Sequence, residues 1–445
     1  MSIFNLRAVL AAAALATGLG AASVASAQDV HLGVKSCGSS GCHGQVASSS
    51  SPVLLNEYVT WQKYDTHATA YKVLLEPRSQ RIARNLGLPN AHEAKVCLDC
   101  HADNVPENAR GPQFVLADGV GCEACHGAGS QPWMGLHIGG SPHDKNVENG
   151  LIALEDPIVR ANICLDCHLG NDEQFATHRI MGAGHPRISF ELDSFTDFQP
   201  AHFVIDDDYR ERKRVVDGVR TWAVGQAMMV ERRMDLLLDS KFSTDGVFPE
   251  LAFFDCHSCH QPMSSSLPDQ QGDFPTAWNP RPGTGLGPGV VKFNDSNMLM
   301  LEVALTLAGG NLAEAMRQDI RAMHAATQES REAMLTAARK LRATAKAAVQ
   351  SIANRQLSAA DMRRAMQTMI EKGSKGFFAD YESAEQATMA LGSMIEAMRV
   401  AGFINNAGYD ELSSKMEPVY GAVANDEQFA PARFVGAVRS LSAAL

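Results

Sequence analysis

Aromatic residues make up only 7% of the 445-residue chain, and positive charge is scarcer than negative, with 39 Lys and Arg against 50 Asp and Glu. The formal charge of −11 excludes a nucleic-acid surface, which needs a basic patch to release counterions. Beyond residue 27 no apolar run reaches the roughly 18 residues of a transmembrane helix, so no span is expected in the mature chain. Strand-like alternation is sparse as well. What remains, 45% apolar and 20% charged residues, describes a soluble chain with room for two or three folded domains.

Against these shortages stand 10 Cys and 15 His. The N-terminus also carries a message: Arg7, an apolar run over residues 8–22, and Ala25-Ser26-Ala27 before Gln28. A positive charge, a short apolar stretch and an Ala-x-Ala site form a secretory signal, with cleavage expected after Ala27 and the mature protein in a bacterial periplasm. The alternative is an uncleaved anchor.

Every cysteine is one of a pair: Cys37-x4-Cys42-His43, Cys97-x2-Cys100-His101, Cys122-x2-Cys125-His126, Cys164-x2-Cys167-His168 and Cys256-x2-Cys259-His260. C-x-x-C-H is the attachment signature of haem c: two thiols reach the two vinyl groups of one macrocycle, and the next imidazole binds its iron. Zinc ribbons would need four ligands from two knuckles, leaving a His after each second Cys without a purpose. Thioredoxin-like chemistry would use the motif once, and structural disulfides would not repeat the spacing. The longer first site needs a looped-out pair of residues, which Gly38 and Gly41 permit. It reads as a haem or a local disulfide, and His43 favours the haem. Five haems c are therefore expected.

If the irons are six-coordinate, the distal ligands come from His31, His67, His92, His137, His143, His178, His185, His202, His257 and His324. Trp61, Tyr64, Ala68, Tyr71 and Leu75 recur at helical steps and place His67 on a helix beside the first haem. His137 follows the third site after a Gly-rich turn, His178 and His185 follow the fourth, and His202 lies in Gln199-Pro-Ala-His202-Phe. His31, His92, His143 and His324 read as structural, and His257 is held inside its own motif. The short step from Cys97 to Cys122 makes those two haems neighbours, and Arg187 is a candidate propionate partner.

These residues resemble the multihaem cytochrome c-554 family over about 30–290. The resemblance rests on Trp61 to His67-Ala-Thr-Ala, on Asp118-Gly-Val-Gly-Cys122-Glu-Ala-Cys125-His-Gly127 with Trp133 and His137, on Gly184-His185-Pro-Arg187-Ile-Ser-Phe-Glu-Leu192, and on Phe254-Asp255-Cys256 to Cys259-His260. It implies closely packed, mostly bis-His haems in a largely helical fold that passes electrons in the periplasm. It also implies that His67, His137 and His185 are distal ligands, with His178 and His202 completing the set. Two departures are the C-x4-C-H spacing and Gln261 after His260, where some relatives carry a second histidine. They leave the ligand of the fifth haem open, and the family includes members with one five-coordinate haem.

The organisation follows: signal peptide 1–27, pentahaem domain 28–263, Pro/Gly-rich linker 264–294 and helical bundle 295–445. One helix is expected over residues 210–240, through Val215, Val219, Trp222, Met229 and Leu237. In the bundle, Met334, Ala338, Leu341, Ala345, Ala348 and Ile352 alternate steps of four and three, as do Ala384, Ala387, Leu391, Met394 and Met398. Four to six helices are expected, with Ser358-Ala-Ala-Asp361 starting one. The fold class is thus mainly α, a multihaem domain with little sheet before a bundle whose Met-rich faces suit homo-oligomerisation. With haems so dense, the macrocycles would be the N-terminal core.

The function expected is an electron relay between redox protein partners, needing no catalytic residue. The alternative is an oxidoreductase acting on a small nitrogen or sulfur compound at one five-coordinate haem. The absence of a C-x-x-C-Lys motif and the supply of spare histidines favour the carrier.

Overall fold

The computed structural model describes residues 29–46, 53–244, 249–260, 284–287 and 290–442. The signal peptide and most of the linker lie outside them. Of the described residues, 65% are helical. Among the described residues, strand pairing is limited to two isolated bridges, His31 with Arg110 and Phe254 with Phe293.

The N-terminal part consists of short helices that end where a motif ends. Lys95–His101, Cys122–His126 and Pro157–His168 each close on the histidine of C-x-x-C-H. On a helix, positions i, i+3 and i+4 share one face, so helical backbone presents both thiols and the imidazole together. Pro157 at the first helical position, and Asp156 accepting from the Ile158 N–H, set the start of the longest of the three. Apolar packing here is slight: one small cluster of Leu74, Ala83, Ala91, Leu98 and Ala102.

The helix expected through residues 61–75 breaks. Glu57–Tyr64 stops at Asp65, whose extended backbone lets its carboxylate accept from the His67 N–H at 2.9 Å and start a 3-10 turn, Thr66–Thr69. A side chain that offers the backbone an alternative acceptor ends a helix despite continuing apolar periodicity. The helix expected over 210–240 also divides, into Asp207–Arg212 and Gly218–Leu238. Asp217 caps the second by accepting from Arg220 N, while Arg214 donates to the Ala353 carbonyl and pins the intervening segment to another helix end. Val215, assigned to the helical stripe, lies outside both helices and is 39% exposed.

Gly218–Leu238 is the spine of the large core. It packs most extensively against Arg331–Ile352, and also against Ser296–Ala308, Tyr381–Val400 and Leu192–Phe198. Trp222 is fully buried within it. Gly225 permits the closest of these approaches: a Cβ there would stand 2.6 Å from Leu192 Cβ. Among the described residues after 295 there are seven α-helices, more than the four to six expected, because Gly309 and Ser330 end helices within stretches of continuous periodicity. The two alanine and methionine stripes are buried throughout. Ser358 and Asp361 form a reciprocal capping box.

Candidate functional site

The five motif histidines each face a second imidazole. His43 faces His137 with ring centroids 5.7 Å apart, and His67 faces His168 at 6.1 Å. His101 faces His185 at 6.3 Å, His126 faces His202 at 6.2 Å, and His178 faces His260 at 6.0 Å. An iron bound by two imidazoles through bonds of about 2.0 Å, with each ring centre roughly 1.1 Å further out, separates the centroids by about 6.2 Å. The spacing lies within the range of ordinary ring contacts and also leaves room for one metal ion between two rings.

Each gap is flanked by two imidazoles. Among the described residues no three His, Cys, Asp or Glu side chains converge as a metal-holding group. Two imidazoles with paired thiols alongside would suit a covalently held macrocycle that supplies the remaining metal donors itself.

Four of these ten histidines have a hydrogen-bond partner on the outer ring nitrogen. Nδ1 of His43 lies 3.0 Å from Glu57, Nδ1 of His67 lies 2.8 Å from Asp65, Nδ1 of His101 reaches the Ala70 carbonyl at 3.1 Å, and Nδ1 of His185 reaches the Pro186 carbonyl at 2.7 Å. Such bonds fix the tautomer and leave Nε2 for a metal. Hydrogen bonding to Glu57 and to Asp65 raises the pKa of His43 and of His67. Burial pushes His126 and His168 down to about 4, keeping them neutral and ligand-competent. Asp65, despite burial, is held at about 2 by His67 and Gln199.

His67 therefore lies beside the fourth motif rather than the first, which faces His137. Gly119, with φ +80°, admits this arrangement: a Cβ there would stand 2.5 Å from the His67 carbonyl, which accepts from Val120 N at 3.0 Å. The thiols bring the motifs into register with one another. Cys37 of the first lies against Cys122 of the third, and Cys100 of the second against Cys167 of the fourth, each pair close enough to perturb the other's proton binding. Burial raises Cys125 and Cys256 to about 12, so both are protonated thiols here. Cys42 and Cys259 are exposed.

The remaining histidines pair elsewhere. His31 meets Asp103, His143 meets Glu155 and His324 meets Asp295, while His92 lies beside Gln80 and His257 packs on Tyr381. Arg187, a candidate propionate partner, donates to both oxygens of Glu385 and lies over the Tyr381 ring.

Two buried acids carry no signal in the sequence. Glu123, inside the third motif, accepts from the N–H groups of Leu32, Gly33 and Gly129 and ties the start of the described chain to that motif. Glu382, on the bundle helix Tyr381–Val400, reaches Cys256 Sγ at 3.4 Å. Phe190, stacked on His168 at 4.7 Å, was likewise not singled out beyond its motif.

No helix among the described residues is long and apolar enough to cross a membrane. Comparison with curated proteins and with solved structures gave no match. Residues 24–127, which span the first three motifs, match the family model of cytochrome c554 and c-prime. That match supports a c-type cytochrome family for this stretch of the chain, with the haem c and electron transfer that such a family implies.

Proposed function

We propose that the protein carries five haems c, each with two histidine ligands, and relays electrons between redox protein partners in the periplasm. The observation that carries this reading is that all five motif histidines face a second imidazole at 5.7 to 6.3 Å. The pairs are His43 with His137, His101 with His185, His126 with His202, His168 with His67, and His260 with His178. The ten cysteines, Cys37 and Cys42 included, hold the macrocycles.

When bound, the haems supply one-electron iron chemistry. The chain supplies distance, ligation and environment. The Cys37–Cys122 and Cys100–Cys167 contacts bring the first site against the third and the second against the fourth. The exposed cysteines of the first and fifth sites suit exchange with partners at those ends. The leader ending at Ala27 supports export. Two axial imidazoles leave an iron no vacancy for substrate, which favours a carrier over an oxidoreductase.

A pyridine haemochrome count with EPR of the oxidised protein tests the reading. Five haems, all low-spin, are expected. A high-spin signal that shifts with nitrite, hydroxylamine or sulfite would sink the pure carrier, and a count of four would remove Cys37, Cys42 and His43.

A further inference from the structure

The helix Tyr381–Val400 belongs to the C-terminal bundle, outside the matched stretch, yet its first turn enters the fifth motif. Glu382 is 7% exposed, and its Oε1 lies 3.4 Å from Cys256 Sγ. Its other oxygen accepts from the Asn294 amide. Cys256 would carry the macrocycle and not the iron, so Glu382 stands against the edge of the ring system.

A buried carboxyl with no direct ion pair among the described residues is costly as an anion. The charges around Glu382 come from every neighbouring element. Arg187 approaches from the segment after the fourth motif but is engaged by Glu385. Arg233 approaches from Gly218–Leu238, where its other contacts are the Asn294 carbonyl and the Asn297 side chain. Asp255 adjoins Cys256, and Asp380 caps the helix; Lys292 lies 3.9 Å from the first and 2.9 Å from the second. Arg187, Arg233 and Lys292 are thus set against Asp255, Asp380 and Glu385, and neither sign dominates. A cleft lined by His168, Arg187, Arg233, Cys256, Glu382 and Gln386 reaches the carboxyl.

We propose that Glu382 is a proton-binding site linked to the fifth haem, taking up one proton when that site takes up one electron. The inference rests on the five-haem reading. The balance is Fe(III), one electron from the redox partner, Glu382 carboxylate and one proton from water, giving Fe(II) and Glu382 carboxylic acid. Reduction removes one positive charge near the carboxylate, so the proton is held more tightly in the reduced state. By linkage the potential of the fifth haem falls as pH rises between the two pKa values of Glu382. Burial, assisted by Asp255 and Asp380 and opposed by Arg187 and Arg233, already lifts the group to about 6. The window therefore lies near neutrality.

The test is a spectroelectrochemical titration of the whole haem-loaded protein from pH 5 to 8, alongside Glu382→Gln. One haem of the unsubstituted protein should show a potential falling with pH, with a slope approaching ~59 mV per tenfold change in proton concentration, the one-electron, one-proton limit. Glu382→Gln should abolish that slope at an unchanged haem count. An unchanged slope in the variant, or no sloping haem in the parent, overturns the proposal. If the variant fails to fold, reduced-minus-oxidised infrared spectra of the parent decide: a carboxylic acid band must grow on reduction and shift in D2O, and its absence refutes proton uptake at Glu382. Peptide mapping without haem on Cys256 and Cys259 would overturn the five-haem reading and this proposal together. Haem there with a flat potential overturns only the latter.

Discussion

The rings of His43 and His137 stand 5.7 Å apart and within 7° of parallel, although they come from a loop motif and from the helix Pro132–Ile138. Removing the second ring opens one iron while both thioether bonds and the motif histidine remain. His137→Ala should keep the haem count and convert one site to high spin by EPR. His143→Ala, which loses only a contact to Glu155, should change neither reading.

The planes of the five pairs differ. His67 with His168, His101 with His185, and His126 with His202 are near perpendicular, at 85°, 78° and 84°. Perpendicular axial imidazoles leave two iron d-orbitals nearly degenerate. Low-spin EPR should therefore show strongly anisotropic signals for three haems and an ordinary rhombic signal for the first. Five rhombic signals would contradict the ring geometry.

Asp65 accepts a hydrogen bond from the imidazole of His67 at 2.8 Å. A carboxylate there makes the ring more electron-donating and favours ferric iron. Asp65→Asn should raise the potential of the fourth haem by on the order of 50–100 mV, leaving the others in place. Redox titration of the variant checks this.

Gly225 lets Gly218–Leu238 pass against Leu192, with no room for a Cβ. Alanine improves helix propensity by about 1 kcal/mol but must displace backbone-proximal atoms, an overpacking cost of about 1–3 kcal/mol. Gly225→Ala should lower Tm, whereas Ala348→Gly, at a buried site on Arg331–Ile352, should do so through a cavity and lost propensity.

Burial raises Asp193 well above the usual carboxylate range, and the neighbouring Glu191 and Asp197 raise it further. The folded state then binds its proton more tightly than the unfolded state. That contribution to stability is full below about pH 4 and is lost as pH rises toward the folded-state pKa. Asp193→Asn should raise Tm by a few degrees at pH 8 and change it little near pH 4. Equal shifts at both values would mean that Asp193 does not titrate in this way.

Local patterns were legible and long-range pairings were not. Helical spacing from Met334 to Ile352 marks a buried face because it repeats at 3.6 residues whatever lies opposite. Ten histidines outside the motifs are candidates for distal ligands, and five of them, His67, His137, His178, His185 and His202, lie against motif rings. Which ring each faces depends on how distant segments fold together, so His67 was set beside the wrong motif. Asp65 and Asp217 ended helices that apolar periodicity carried onward, since a single cap outweighs a continuing stripe. Glu382 gave no signal at all: its partner Cys256 lies on another part of the chain.

The contacts of Cys37 with Cys122 and of Cys100 with Cys167 carry a consequence for biogenesis. In the finished protein they would mark where two ring systems approach most closely. In a folded chain without cofactor they are thiols poised for oxidation, and a chain exported as proposed would meet an oxidising compartment. A cross-link at either contact would disable two attachment sites at once. Cofactor ligation must therefore outrun folding, and a strain starved of haem should accumulate these cross-linked forms rather than an empty, rescuable protein.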